Sequence, residues 1–277
     1  MFERMKFFKE NMDPLFSLES FPASRVFTMD IGKLGMNRHL VRAMIEVDVT
    51  DARKKIKQQR KTVNERVSFT PWILKCIAKA VSEYPQMHAI RRGRTLVLFH
   101  EVDISILVEK KVEGKRVPIP LLIRDVSMKS MLQLHTEIKN AVESNIEDKK
   151  KYVMNDSDQS FALIVFLKFP QFIRLIIWRF VLRNPQRIKK MMGTIVVTSV
   201  GMMGKVHGWF IPSSIHPLSF ALGSIVRKPG VVGEQIQIRE FLHMTILIDH
   251  DVVDGAPAAR FVARLVDIMQ KGYGINN

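Results

Sequence analysis

The sequence predicts an α+β domain in which helices pack on one side of a single mixed sheet. Apolar runs rich in β-branched residues recur along the chain and predict strands. Amphipathic segments at helical spacing lie between them, and several connections are long enough for antiparallel pairing of the strands. The chain has 277 residues, of which 47% are hydrophobic, so it can bury a sizeable core.

The first predicted elements follow an N-terminal extension of residues 1–37, which we expect to cover part of the domain. A strand is predicted over residues 41–49 and a basic helix over residues 50–61. The next helix is predicted to open with Thr70 as its N-cap and Pro71 in its first position. Its apolar residues fall on one face, so this helix should pack on the core.

The middle and the C-terminal part of the chain continue the alternation. Neighbouring strands are predicted over residues 95–99 and 103–109, and a further strand over residues 117–123 precedes an amphipathic helix over 128–144. The last predicted elements are a buried strand over 193–201, two strands over 217–226 and 235–248 joined by a turn that contains Pro229, Gly230 and Gly233, and a helix over 257–271.

The charge of the chain limits the kinds of partner. The formal net charge is +16 and the pI is near 10.1. Such a balance favours an anionic partner, which could be a phosphate-bearing cofactor, a membrane surface or a nucleic acid. Aromatic residues are not interleaved with the basic runs, so nucleic acid is the least favoured of the three.

Cys76 is the only cysteine in the chain. A lone cysteine excludes an intrachain disulfide and a multi-cysteine metal site. Cys76 lies inside a predicted helix with no base nearby in the sequence, so we interpret it as structural. The N-terminal residues do not have the apolar core of a secretory signal, and we expect a cytoplasmic location, with membrane association as an alternative.

One stretch near the C-terminus, residues 244–257, joins a buried strand to a polar cluster. Its apolar run leads directly into His250. A histidine on a short loop at a strand end can act as a general base, because its unperturbed pKa of about 6.5 lets it accept a proton at neutral pH. We expect Gly255 to let the chain turn sharply, and Asp254 to orient or charge-balance nearby groups.

Two other interpretations of this stretch compete with catalysis. A histidine at a strand end is often a surface or hydrogen-bonded residue without a chemical role. Metal binding is the second alternative, because three aspartates crowd around His250. Their spacing does not fit a calcium loop, which needs acids at the first, third and fifth positions and glycine at the sixth, so no metal is predicted.

The residues around His250 resemble a known active-site signature. The string His250-x-x-x-Asp254-Gly255, preceded by Asp249 and followed by Ala-Pro-Ala-Ala-Arg-Phe, is similar to the signature of the dihydrolipoamide acyltransferase components of 2-oxoacid dehydrogenase complexes. The catalytic domain of that family shares its fold with chloramphenicol acetyltransferase. The resemblance therefore implies a mixed sheet with flanking helices of the chloramphenicol acetyltransferase type.

The resemblance also implies acyl transfer between thiol carriers, with coenzyme A as the cofactor in the form of acyl-CoA. His250 would be the general base, Asp254 a second catalytic residue, and Thr198 the donor of a hydrogen bond to the oxyanion. Ser199 and Gly255 would lie beside the substrate. His250 and Thr198 would meet across an interface of a homotrimer, or of a higher multiple of trimers. No lipoyl group is expected on this chain, so a lipoyl domain or another acyl acceptor would bind in trans.

The resemblance covers about residues 38–145 and 193–272, and the chain departs from the family in two places. The family usually has arginine directly after the catalytic histidine, whereas this chain has Asp251, which alters the local charge balance. An apolar and basic insertion at about residues 155–192 replaces a short polar linker. We expect a single catalytic domain over residues 38–277, because the 37 residues ahead of it are too few for a lipoyl or subunit-binding module.

The most apolar part of the insertion, residues 161–183, has three interpretations. It could form extra helices packed in the domain or at subunit contacts, an anchor on a membrane surface, or one wall of an enlarged acyl pocket. A membrane-spanning helix is disfavoured, because charged residues interrupt the apolar run. The insertion and Asp251 also support an alternative function, a non-catalytic or weakly active trimeric scaffold that associates with a membrane.

Overall fold

The frame of the protein is a six-stranded sheet. A computed structural model describes residues 21, 23–62, 68–112, 115–143, 166–200 and 206–275. The strands are β1 (Leu40–Asp48), β2 (Ile90–Arg92), β3 (Thr95–Val97), β4 (Ile104–Val112), β5 (Lys115–Ile123), β6 (Ile195–Ser199), β7 (Leu218–Val232) and β8 (Gln235–Asp249). The helices are α1 (Ala23–Gly35), α2 (Thr50–Thr62), α3 (Phe69–Glu83), α4 (Met131–Glu143), α5 (Gln171–Leu182), α6 (Pro185–Met192) and α7 (Gly255–Gln270), with a 3-10 helix at Pro85–His88.

The order of the strands confirms the α+β prediction with a mixed sheet. The six strands run β1-β8-β7-β6-β4-β5. β8 pairs antiparallel with both β1 and β7, and β4 pairs antiparallel with β5. β6 is the exception, because it runs parallel to both of its neighbours, β4 and β7. The sheet is therefore antiparallel at both edges and parallel around β6.

Two predictions about strand pairing and turns are wrong. The strand predicted over 95–99 is β3, which pairs with β2 in a separate hairpin and not with β4. Gly93 has a φ of 61°, so the chain reverses at once and β3 meets the strand just before it. In the long hairpin, Gly233 (φ 60°) makes the turn, whereas Pro229 lies within β7. Proline is tolerated there because β6 does not extend that far along β7.

The start of α3 also differs from the prediction. Ser68 takes the N-cap position, and Phe69, Thr70 and Pro71 form the first turn. The Ser68 hydroxyl does not cap the helix, since it lies 3.1 Å from Nδ1 of His135 on α4. Pro71 is still well placed. Proline lacks a backbone N–H, and an N–H group in the first turn would have no partner within the helix.

The core lies between the sheet and the helices α3 and α7. Trp72, Ile77 and Phe261 are fully buried there against alternate residues of β8, and Cys76 is buried among them. Burial raises the pKa of the Cys76 thiol. A raised pKa leaves little of the reactive thiolate, which agrees with the interpretation of Cys76 as a structural residue. The opposite face of β8 is covered by the segment 206–217, in which the Trp209 ring stacks on His243 at 4.4 Å.

The extension and the insertion are helical where they are described. α1 lies in the extension and packs against α5 of the insertion. Residues 1–20 and 155–165 lie outside the described part of the chain. Within the described ranges, no helix combines the length and the hydrophobicity needed to cross a bilayer.

Candidate active site

His250 lies directly after β8, as the sequence predicts. β8 ends at Asp249, and the backbone N–H of His250 donates a 2.8 Å hydrogen bond to the carbonyl oxygen of His39. The residue itself is exposed. The central sheet therefore fixes the backbone of His250 and leaves its imidazole accessible from outside the single chain.

Asp249 organises the loop around His250. Its carboxylate accepts a 2.6 Å hydrogen bond from Arg38 and a 3.1 Å hydrogen bond from the backbone N–H of Asp251. Its carbonyl oxygen accepts the N–H groups of Val252 and Val253. Asp249 is buried in this network and already neutralised by Arg38. The loop is thus held at several points on one side of His250.

Arg38 is the positioning residue that the sequence did not reveal. It comes just before β1, and Asp249 is 211 residues further along the chain. Only the antiparallel pairing of β1 with β8, in which Leu40 faces Asp249, brings the two side chains together. The local sequence around Arg38 contains no motif that could have indicated this contact.

Asp251, where the chain departs from the family, faces two basic groups. Its carboxylate lies 3.1 Å from Nδ1 of His39 and 4.0 Å from Nη2 of Arg91. All three side chains are substantially exposed. The added negative charge beside His250 is therefore partly balanced within the chain, although exposed pairs of this kind contribute little free energy.

Thr198 and Ser199 are the last two residues of β6. In the parallel ladder with β7 they pair with Ala221 and Leu222, and both are partly buried. The ladder continues one residue further, where the Val200 N–H donates to the Leu222 carbonyl oxygen. The predicted oxyanion donor therefore sits at a strand end of the central sheet.

His250 and Thr198 lie far apart in the single chain. Ile195 of β6, Leu218 of β7 and Ile248 of β8 form one row across the sheet. From this row the chain runs two residues in one direction to His250 and three in the opposite direction to Thr198. With about 3.3 Å per residue and about 4.8 Å between strands, the two residues are separated by roughly 19 Å. One chain alone does not bring them together.

Asp254 and Gly255 mark the start of α7. Asp254 takes the N-cap position, but its exposed side chain makes no capping hydrogen bond. The expectation that Gly255 makes a sharp turn is wrong, because it is the first residue of α7 and its φ is not positive. A Cβ atom added at Gly255 would meet nothing within 4 Å. Within the described residues, the contact recorded at Asp254 is the hydrogen bond that its carbonyl oxygen accepts from the Ala258 N–H, and the catalytic and substrate-binding roles of Asp254 and Gly255 stay predictions.

A metal centre and a surface cleft are the other kinds of site that polar groups in the described part of the chain could form. Among the described residues, no group of three or more His, Cys, Asp and Glu side chains is arranged to hold a metal ion. An open cleft lies between α6 and the chain around Phe99, and it is lined by Asp103, Arg124 and Lys189. Neither His250 nor Thr198 lines this cleft, so it is separate from the predicted chemistry.

Comparisons with known proteins identify the family of this chain. The model of the family "2-oxoacid dehydrogenases acyltransferase (catalytic domain)" matches residues 39–160 and 185–274. The gap between the two matched parts falls within the insertion. The lipoamide acyltransferase component of the branched-chain alpha-keto acid dehydrogenase complex of Bacillus subtilis is 24% identical over 232 residues. These residues are 82% of this chain but only 46% of that protein, so the chain spans less than half of this relative.

Solved structures show the same fold. The dihydrolipoamide acetyltransferase of Azotobacter vinelandii superposes with a TM-score of 0.68 at 21% identity, covering 94% of this chain and 95% of that one. The cubic core of a pyruvate dehydrogenase multienzyme complex gives 0.66 at 20% identity with the same coverage. Since the family model covers most of the chain on both sides of the insertion, this chain belongs to the family of 2-oxoacid dehydrogenase acyltransferase catalytic domains.

Proposed function

We propose that the chain transfers an acyl group between coenzyme A and a thiol acceptor, with His250 as the general base. The observation that supports this proposal is that His250 combines a fixed backbone with an accessible side chain. Its backbone is fixed by β8, His39 and the Asp249 network, yet its side chain stays accessible. A catalytic base needs both properties, because it must be held in place and still reach the proton of a substrate.

The reaction can be written with His250 and Thr198 alone. His250 takes the proton of the attacking thiol, whose free pKa of about 8.5 leaves little thiolate at neutral pH. The thiolate sulfur bonds to the thioester carbonyl carbon, and Thr198 donates a hydrogen bond to the resulting oxyanion. The intermediate collapses, the carbon–sulfur bond of the donor breaks, and the departing thiolate takes the proton back from His250.

The separation of His250 from Thr198 supports a site built between subunits. At roughly 19 Å the two residues cannot act on one carbonyl group, so His250 of one copy must face Thr198 of the next. A head-to-tail contact of this kind closes into a ring, and a trimer is the arrangement that the family implies. The single chain also exposes apolar residues that a neighbour could cover, namely Trp209, Phe210, Ile211, Val231, Ile236 and Ile238.

The partners of the proposed reaction follow from its chemistry. Acyl-CoA brings several phosphate charges, which suit a chain with a net charge of +16. A lipoyl domain in trans, or another small thiol, would serve as the acceptor. The related cubic core belongs to a pyruvate dehydrogenase complex, so trimers of this chain could assemble further in the same manner.

A trimeric scaffold with little or no activity is the second candidate function. The observation that favours it is Asp251, whose exposed carboxylate is adjacent to His250 in the sequence. A negative charge at this point should disfavour the approach of an anionic substrate. This candidate predicts a trimer of normal stability that releases no thiol from any acyl-CoA donor.

The experiment that tests the enzyme follows thiol release on the purified chain with a panel of acyl-CoA donors and dihydrolipoamide as acceptor. The thiol is measured as free coenzyme A separated by chromatography, because transfer between thiols leaves the total number of thiols unchanged. We expect His250→Ala to lower turnover by about a thousandfold or more, since proton transfer and positioning are lost together. His100→Ala is the matched control, because His100 is an exposed histidine away from β8. Equal turnover in a folded His250→Ala protein would exclude the mechanism, and no turnover in any unmodified sample would favour the scaffold.

A subunit-mixing experiment tests the shared site. Thr198→Val removes the oxyanion donor and should cost about 10²- to 10³-fold in turnover. When Thr198→Val and His250→Ala chains are unfolded and reassembled together, about a quarter of the sites in a ring pair an intact histidine with an intact threonine. Activity should then reappear in the mixture. A mixture as inactive as its parents would show that both residues act within one chain.

A further inference from the structure

The inner face of helix α5 is fixed by a buried ion pair. Asp30 on α1 accepts hydrogen bonds from Arg174, of 2.8 Å from Nε and 3.0 Å from Nη2. Asp30 has no solvent exposure. On the same side, the Trp178 ring packs edge-on against Phe27 and Phe166. These contacts determine which face of α5 points inward and which points away from the protein.

The outer face of α5 carries large apolar side chains that are more than half or about half exposed. Phe172, Ile176 and Phe180 follow one another at a spacing of four residues, which places them in one row along the helix. Their exposed fractions are 65%, 50% and 63%. We call this row the apolar stripe. None of its three residues lines the cleft at Phe99.

The sequence that contains the apolar stripe is rich in basic residues. Residues 166–192 contain seven lysines and arginines and no aspartate or glutamate. Two of the seven are paired, Arg174 with Asp30 and Lys189 with Glu101 and Asp103. The other five have no acidic partner among the described residues and form the basic set: Lys168, Arg179, Arg183, Arg187 and Lys190. The guanidinium of Arg183 lies 5.4 Å from the centre of the Phe180 ring. At this point the basic set is in direct contact with the apolar stripe.

We propose that the apolar stripe and the basic set form a docking surface for a membrane that contains anionic phospholipids. An exposed row of phenylalanine and isoleucine can enter the boundary between headgroups and acyl chains, while the arginines of the basic set stay at the phosphates. α5 has 12 residues and is about 18 Å long, well short of the 30 Å core of a bilayer, so it would lie along the surface. The excess of positive charge favours an anionic surface.

This arrangement distinguishes between the interpretations of residues 161–183. The helices are packed on the protein through their inner face, but packing leaves the stripe in contact with water. A wall of an acyl pocket would need the stripe to face a cavity, whereas these side chains face outward. A contact with a second copy of the chain is the main competing occupant. The five cations of the basic set favour an anionic surface over it, because a protein surface would need five acidic partners at matching positions.

The test is co-sedimentation of the full chain with vesicles of phosphatidylcholine alone, or of phosphatidylcholine mixed with phosphatidylglycerol. We expect binding to the mixed vesicles only, with loss of binding in about 1 M salt, where charge interactions are screened beyond about 3 Å. The same experiment is run with the triple variant Phe172→Ser, Ile176→Ser, Phe180→Ser. Its matched control replaces Leu96, Met128 and Leu132 by serine, which are also exposed apolar residues.

A second variant tests the charges. Arg179→Gln, Arg183→Gln and Arg187→Gln together should weaken vesicle binding by about a hundredfold, since each basic residue near an anionic surface contributes about fivefold. The control removes three exposed cations elsewhere, Lys57, Arg92 and Arg94, and should reduce binding only slightly. In addition, Phe172→Trp should show a blue shift of its fluorescence on mixed vesicles if the stripe enters the lipid.

Each outcome decides for or against the proposal. Binding to both kinds of vesicle alike, or to neither, would exclude an anionic membrane as the occupant. Vesicle binding that survives the serine variant but not its control would place the contact elsewhere. A serine variant that becomes monomeric, while the unmodified chain does not bind vesicles, would show that a second copy covers the stripe. Thiol release is measured in parallel, and we expect it to remain unchanged in all these variants.

Discussion

Two aspartate–arginine pairs hold the two most distinctive regions of this molecule, and they differ in burial. Arg38 and Asp249 fix the loop of His250 at a site that water still reaches, with side-chain exposures of 24% and 12%. Asp30 and Arg174 fix α5 in a setting from which water is almost excluded. The first pair holds a short loop, whereas the second orients a whole helix.

The difference in burial predicts different consequences of breaking each pair. A buried carboxylate that loses its partner keeps the full cost of desolvation, while a partly exposed one is rescued by water. Removing Arg174 should therefore act mainly on stability. Removing Arg38 should act more on the placement of His250 than on the free energy of unfolding.

The largest effect is expected from Arg174→Met. It leaves Asp30 buried without a cation and should lower the free energy of unfolding by about 3–5 kcal/mol, as measured by urea denaturation. Arg179→Met on the exposed side of α5 is the control and should change it by less than about 0.5 kcal/mol. Combining Arg174→Met with Asp30→Leu should restore most of the loss, because apolar partners replace the pair. Equal stability of Arg174→Met and Arg179→Met would mean that the buried ion pair does not stabilise the protein.

The sequence predicted one of these regions far better than the other. The strand, loop and helix around His250 are continuous in the chain, so their hydrophobic pattern and motif were sufficient to locate β8, His250 and α7. The pair of Asp30 and Arg174 joins residues 144 positions apart, and nothing local to either residue indicates the other. The same limit explains why Arg38 was missed, why β3 was assigned the wrong partner, and why the helices of the insertion could be foreseen but not their orientation.

An intermediate effect is expected from Arg38→Met. Loss of the 2.6 Å contact frees the Asp249 carboxylate, and the loop of His250 can shift by an ångström or so. Such a displacement of a catalytic group can reduce turnover by about a hundredfold, while the unfolding free energy falls by only about 1–2 kcal/mol. Arg42→Met is the matched control, because Arg42 is exposed on the same strand and donates a hydrogen bond to the nearby Leu40 carbonyl oxygen. A loss of stability without a larger loss of turnover would assign Arg38 a purely structural role.

The smallest effect on the isolated chain is expected from Gly255→Ala. An added Cβ has open space at the first position of α7, and alanine is favoured over glycine in helices, so the free energy of unfolding should rise by up to about 1 kcal/mol. If Gly255 lies beside the substrate in the assembled protein, the same methyl group should raise the KM for acyl-CoA while kcat changes little. Gly32→Ala in α1 provides the comparison, because a Cβ there also meets nothing within 4 Å. An identical KM for the two variants and the unmodified protein would remove Gly255 from the substrate site.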